Sequence, residues 1–377
     1  MFPEPVAEHA GVDDVLPTCV LYSTRNSVSY GNGTYLSTMT LQETQDSLKY
    51  SNESANLNQT STMSTEETLH DLITANHILH HHNVLDAYGH ISVRDPTNPS
   101  RFFLSYSLAP ALISSASDLV EYHISDASPV NSTAKGYSER FIHSEILKQY
   151  PNVKSVVHSH SEAVLPYTVS GVPLQAAFHI AGFLGLHYPI HRQQPVNKTQ
   201  GTNVPIFDTA AHTQRNSRLD LLVSTPLRGA AFADSFSKQD SYTARLGHAA
   251  TSLVSSLAKS SLASDESPQP DHTVVLMRGH GFTTVGSSIR EAVFRAIYTQ
   301  QNAAVQTTAL LTRNAHLNAE DRGKKPEEKT SVPDTGPHYL SEQEISGCTL
   351  MGAETAERPW GLWVREVESN PLYVHEQ

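Results

Sequence analysis

Val153-Lys154-Ser155-Val156-Val157-His158-Ser159-His160 is rich in β-branched residues and predicts a short strand. It follows Pro151, which ends a helix predicted over 138–150, where Phe141, Ile142, Glu145, Ile146 and Gln149 recur near a 3.6-residue period. On a strand, side chains two apart share a face, so His158 and His160 can reach one ion. That pair alone is weak. With 21 histidines in 377 residues, composition supplies about one such pair by chance. His80 and His82 form another, but a helix splays those positions apart.

The surroundings strengthen the signal. Upstream, Gly136-Tyr137-Ser138-Glu139-Arg140-Phe141-Ile142-His143 reads as a turn into the helix, with Ser138 placed to cap it and Glu139 in its first turn. Downstream, Val274-Val275-Leu276-Met277-Arg278-Gly279-His280-Gly281 is an apolar strand running into a histidine between two glycines, where the backbone can turn sharply. Three imidazoles, His158, His160 and His280, with an open fourth position are what a catalytic divalent cation requires. Glu139 beside them is the candidate acid/base. Three imidazoles and a carboxylate suit several divalent ions, zinc, manganese and iron among them.

Outward from this centre, Ser64-Thr65-Glu66-Glu67 predicts a helix start, followed by Leu69, Leu72, Ile73 and Leu79 at helical spacing. His80-His81-His82 closes that helix, where imidazolium charge would suit the dipole. Ile91-Ser92-Val93 and Phe102-Phe103-Leu104 read as strands joined by a turn through Asp95-Pro96 and Asn98-Pro99. A long helix is predicted from Ile289 to about Leu311, with Val293, Ile297, Ala304 and Leu311 facing inward. Segments 255–271 and 318–336 read as surface insertions. Alternating helices and strands predict an α/β sandwich. Residues 1–64, rich in Ser, Thr and Asn, are expected to be a disordered low-complexity extension. The segment 316–338 reads as a charged linker, and 339–377, with Trp360 and Trp363, as a helical tail on the core or on a neighbouring subunit.

The formal net charge of −12 makes nucleic acid and anionic membranes poor partners and favours a small-molecule substrate. Two cysteines are too few for a disulfide scaffold. The opening Met1-Phe2-Pro3-Glu4 has no basic and apolar leader, and no apolar run approaches a membrane span, so a cytoplasmic location is expected.

Ser138 through His160, together with Met277-Arg278-Gly279-His280-Gly281, resembles the class II aldolase/adducin family over roughly 68–311. The resemblance implies a three-layer α/β/α sandwich around a mostly antiparallel sheet, a catalytic domain over 65–315, and a zinc-type divalent ion on the three histidines. It also implies Glu139 as acid/base and a homo-oligomer, often a tetramer. The chain departs from the family's sugar-phosphate aldolases in several places. His90 replaces an Asn in Gly89-His90-Ile91-Ser92-Val93-Arg94, Ser105-Tyr106-Ser107-Leu108-Ala109-Pro110 lacks a glycine, and Tyr137-Ser138 replaces a serine pair. Phosphate needs several converging small donors, so a non-phosphorylated substrate is expected. Phe178-His179-Ile180 stands where those aldolases carry a tyrosine proton donor, which makes His179 a candidate replacement, and Arg278 is a candidate anchor for a substrate carboxylate. The pattern is more similar to the branch containing 3,4-dihydroxyphthalate decarboxylase. It implies a metal-dependent carbon–carbon lyase that decarboxylates a hydroxyaryl or β-keto acid. An aldolase or dehydratase acting on a hydroxy-carbonyl compound, or a non-catalytic adducin-like binding module, are the alternatives.

Overall fold

The computed structural model describes residues 63–131, 136–185, 203–213, 218–237, 267–320 and 336–376. The chain divides into two units, Met1–Ser61 and Thr62–Gln377. The first, and with it nearly all of the expected extension, lies outside the described residues, as do 321–335 of the expected linker and most of the 255–271 insertion.

The strands are β1 (His90–Arg94), β2 (Arg101–Ser105), β3 (Leu119–His123), β4 (Ser155–Ser159), β5 (Ile206–Phe207), β6 (Val274–Met277) and β7 (Gly281–Gly286). The α-helices are α1 (Thr65–His81), α2 (Arg140–Gln149), α3 (Leu165–Val169), α4 (Pro226–Asp234), α5 (Ile289–Glu320), α6 (Glu342–Thr355) and α7 (Glu357–Glu368). Among the described residues the strands form one sheet in the order β3-β2-β1-β4-β7-β6-β5, antiparallel throughout except for the parallel β5–β6 pair. Strand alternation divides the core in two. Ile91, Val93, Val157, Val274 and Leu276 pack with residues of α1, α5 and α7, whereas Val156, Val275 and Met277 pack with residues of α2 and α4. This is the expected α/β/α sandwich.

The predicted start of α1 is a capping box, with the Ser64 hydroxyl accepting from the Glu67 amide and the Glu67 carboxylate accepting from the Ser64 N–H. Its C-terminal end differs from expectation. Burial first of all pushes His80 and His82 below the usual imidazole range, even with Glu366 only 3.1 Å from His82, so desolvation outweighs the dipole's preference for charge. Helix α5 runs past Leu311 to Glu320, because no glycine or proline interrupts Thr312 to Glu320. Ala304 and Leu311 are exposed rather than inward. The inward positions are instead the polar Asn302 and Gln306, which bond the backbone of the extended segment at Pro173, Gln175 and Ala177. The tail is helical, and Trp360, Trp363 and Val367 are buried in the α1/α5 side of the core.

Arg94 fixes the geometry on the other face. Its buried guanidinium donates to the carbonyls of Val153, Pro99, Leu147 and Tyr150 at 2.6–3.3 Å, tying β1 to the C-terminal end of α2 and to the entry of β4. A cation there also faces the negative end of the helix dipole. Replacing it with methionine leaves several buried carbonyls without donors, so Arg94→Met is expected to lower unfolding free energy by about 3 kcal/mol in urea titrations. An unchanged urea midpoint would reject this clamp.

A second expectation concerns acid. Burial first holds His77 down to about 4 and His143 to about 3, against an ordinary 6.5 in the unfolded chain. Below 6.5 the unfolded chain therefore binds protons that the folded chain refuses. Stability contributed by keeping these rings neutral is present above pH 6.5 and drains away as pH falls toward 3. The urea midpoint should fall between pH 7 and pH 5; a flat profile would contradict the burial of both rings as neutral groups.

Candidate metal centre

The register of the sheet assembles the site. His158 on β4 lies opposite His90 of β1 and opposite Thr283 of β7. Alternation puts His158 on the same face as Val156, toward α2. His160 lies just beyond the end of β4. His280 arrives from the β6–β7 turn, where Gly279 takes a positive φ of 64° and the His280 amide donates to Met277 O at 3.0 Å. A Cβ on Gly281 would stand 2.0 Å from Ser159 O, so only glycine lets β7 bring His280 this close to β4.

Glu139, His158, His160 and His280 each present a ligand atom, and these atoms all lie within 4.8 Å of one another. His158 Nε2 is 3.2 Å from His160 Nε2, and Glu139 Oε2 is 3.8 Å from His158 Nε2 and 3.5 Å from His280 Nε2. Donors around a tetrahedral zinc ion stand about 3.3 Å apart.

The hydrogen bonds behind the ligands fix which nitrogen is bare. Thr283 donates its hydroxyl to Met277 Sδ, so its oxygen is left to accept from His158 Nδ1–H at 3.1 Å. Asp86, 3.1 Å from His160 Nδ1, can only accept. Burial alone would raise the Asp86 carboxyl, but the Tyr88 and Gly89 amides and His160 outweigh it and hold it below its ordinary value. Both Nδ1 atoms thus donate outward, and two bare Nε2 lone pairs face each other at 3.2 Å. Lone pairs at that distance repel unless a cation lies between them. A proton could bridge only two of the three imidazole nitrogens, whereas one divalent ion would satisfy all three, with the Glu139 carboxylate beside it. Burial first, and then the neighbouring imidazoles, keep His158 well below the usual imidazole range, which favours the neutral, ligating form.

Glu139 is not in the first turn, capped by Ser138, as expected from the sequence. It is the N-cap residue, one before α2, and its carboxylate makes no capping hydrogen bond. Oε1 accepts from the Val223 amide at 2.8 Å, and Oε2 turns to the imidazoles, because those partners compete successfully with the helix N–H groups. Val223 is presented by an irregular segment in which Leu221 holds a positive φ of 62°, a strained conformation for a branched side chain. Arg228 braces this segment through Leu222 O at 2.9 Å.

Two other candidates stand apart from the four. His179 is exposed, at the start of the 3-10 turn His179–Leu184. Arg278 is half exposed, with Nε 2.8 Å from Asp208 Oδ2. Asp86 and Thr283 were not legible as site residues. Asp86 has no distinctive spacing and is identified only once β1 is drawn antiparallel to β4, which sets its carboxylate beside His160. A buried chain also adjoins the ligands: His90 Nδ1 to His143 Nε2 at 2.6 Å, and His143 Nδ1 to Ser92 Oγ at 2.6 Å.

With this fold and this cluster in place, comparison with known proteins is decisive. The Class II Aldolase and Adducin N-terminal domain matches residues 70–220 and 230–307, and the chain belongs to that family. It is an enzyme of the lyase type, similar to the decarboxylase-like members. It is 42% identical over 304 residues to decarboxylase tropJ of Talaromyces stipitatus, covering 80% of this chain and 95% of that protein. It is 26% identical over 203 residues to the 3,4-dihydroxyphthalate decarboxylase of a Terrabacter species, covering 52% of this chain and 58% of that protein. Among solved structures, an aldolase II superfamily protein from Pseudomonas syringae superposes with a TM-score of 0.51 at 16% identity, covering 86% of this chain and all of that one.

Loss of an outer partner weakens metal sites by about tenfold to a hundredfold. Asp86→Ala should weaken zinc binding by that factor in chelator competition, and His158→Ala should abolish it. Wild-type affinity in Asp86→Ala would reject the tautomer argument.

Proposed function

We propose that this enzyme is a divalent-metal-dependent decarboxylase of a non-phosphorylated hydroxyaryl or β-keto acid, with His158, His160 and His280 as ligands, zinc as the first-choice ion and Glu139 as the proton carrier. The observation that carries this reading is the convergence of three imidazole nitrogens and one carboxylate oxygen within 4.8 Å.

Loss of CO2 breaks a carbon–carbon bond and leaves its electron pair on the remaining carbon, which must then take a proton. A divalent cation at this site supplies Lewis-acid stabilisation of the charge that spreads onto the adjacent substrate oxygen. The chain's own residues perform the rest. The Val223 amide pins Oε1 of Glu139, so Oε2 is the atom that holds and delivers the proton. Thr283 and Asp86 orient His158 and His160. His179 and Arg278 have outer roles in this reading: His179 as an alternative proton donor, Arg278 as a carboxylate anchor that must share its guanidinium with Asp208.

The absence of phosphate from the substrate is supported by what fills the neighbouring positions. His90 is buried, its ring centroid lies 4.7 Å from that of Tyr137, and the Tyr137 hydroxyl donates to Leu108 O at 2.8 Å. Bulky rings committed to protein partners leave few donors for a phosphate. A homo-oligomer such as a tetramer is part of this reading. No described helix is long and apolar enough to cross a membrane, and a cytoplasmic location is part of this reading.

Metal-loaded protein offered a panel of hydroxyaryl and β-keto acids should release CO2 from at least one of them. Chelator should stop the release and added zinc restore it. Glu139→Gln should turn over about a hundredfold more slowly. Normal turnover by Glu139→Gln would remove it from the proton step, and aldol cleavage without CO2 would replace the decarboxylase reading.

A further inference from the structure

His160 stands outside the ladder that places His158. Strand β4 ends at Ser159, paired with Phe282 of β7, and His160 follows one residue later. Its ring partner, Asp86, comes from a different part of the chain, the turn that follows α1. A ligand set must keep its geometry to within about 0.5 Å, so whatever fixes these two segments against each other acts on the site.

One side chain joins them. Gln300, half-buried on α5, donates from Nε2 to the His82 carbonyl at 2.8 Å and accepts at Oε1 from the Ser161 hydroxyl at 2.7 Å. The orientation of this amide is determined. A carbonyl can only accept, so the NH2 end faces His82, the oxygen is left for Ser161, and Ser161 is the donor. Each contact lies close to the Asp86–His160 pair. His82 closes α1, where a helix leaves carbonyls without intrahelical partners, and Gln300 satisfies one of them. Asn83 then turns the chain at a φ of 55°, and three residues later Asp86 meets His160 Nδ1 at 3.1 Å. Ser161, 3% exposed, is the residue directly after His160. Its amide donates to Ser159 Oγ at 3.1 Å, and the Ser159 hydroxyl donates to Val84 O, which makes a second tie between the same two segments. Segments joined at one point can pivot. Gln300 supplies the other point, from a third element.

We infer that Gln300 is a positioning residue for the metal centre: its carboxamide, spanning His82 and Ser161, holds the Asp86 carboxylate against the His160 ring so that Nε2 faces the ion. This rests on the reading of His160 as a ligand. Asn302 and Gln306, on the same helix, make bonds of the same kind, but to the segment at Pro173, Gln175 and Ala177, which carries none of the four donors. Along the polar face of α5, Gln300 is the residue whose bonds lead to the site.

The test measures zinc affinity of the full chain by chelator competition, beside urea midpoints. Gln300→Leu should weaken zinc binding by about tenfold, the lower end of the cost of losing an outer partner. Ser161→Ala, which removes only one hydroxyl, should weaken it in the same direction and decides the matter alone if Gln300→Leu does not fold. Asn302→Leu should lower the urea midpoint and leave zinc affinity at the wild-type value. Because Gln300 works through the Asp86–His160 pair, Asp86→Ala combined with Gln300→Leu should bind zinc about as tightly as Asp86→Ala alone. Losses that add in full, or an equal loss of zinc affinity in Asn302→Leu, would make Gln300 a structural residue only and overturn the inference. Zinc uptake by the wild type with unchanged affinity in Gln300→Leu and Ser161→Ala would overturn it alone. A wild type that takes up no zinc would overturn the metal reading and this inference with it.

Discussion

Two imidazole nitrogens, both stripped of their protons by partners on the far side of their rings, face each other 3.2 Å apart at the end of β4. That arrangement is unfavourable on its own and favourable only around a cation, and much of the rest of the structure maintains it. Thr283 and Asp86 set the tautomers, Gly281 lets β7 approach, and Gly279 turns the chain so that His280 completes the set. Arg94 ties the C-terminal end of α2 to the sheet, and the Val223 amide holds the Glu139 carboxylate at the other end of the helix. The convergence of the three imidazoles and Glu139 is therefore a property of strand register rather than of any one loop.

The helix layers explain why the site is buried on one side. The α2 and α4 layer covers the face that bears His158, and His90, Ser92 and His143 fill the space between that layer and the strands. Here the His90 and His143 rings are bonded to each other, His143 also meets Ser92, and all three side chains are buried. Leu221, strained to present the Val223 amide, is a further sign that the segment is shaped by Glu139 rather than by its own preferences.

Much of this was legible before any coordinates. The β-branched run ending in His158-Ser159-His160 and the glycine-flanked His280 were legible because strand periodicity and glycine turns are local properties, and the structure brings these three rings together with Glu139. An α/β sandwich followed from alternating patterns, and its three-layer form from the family resemblance. What escaped was long-range or set by competition between weak forces. Asp86 and Thr283 act through cross-strand neighbours whose sequence separation hides them. On α5, Val293 and Ile297 are buried as expected, but the inward face further along was misjudged because Asn302 and Gln306, polar on paper, are satisfied by backbone groups of a segment that packs against the helix. Glu139 was misplaced because a carboxylate at a helix start has two suitors, the helix amides and the site, and only geometry decides.

The most direct measurement is anomalous diffraction at the zinc edge from crystals of the zinc-loaded protein. The account predicts one strong peak, about 2.0–2.2 Å from Nε2 of His158, His160 and His280 and from or beside an oxygen of Glu139. A peak elsewhere, or none at this cluster with zinc present in excess, would contradict it.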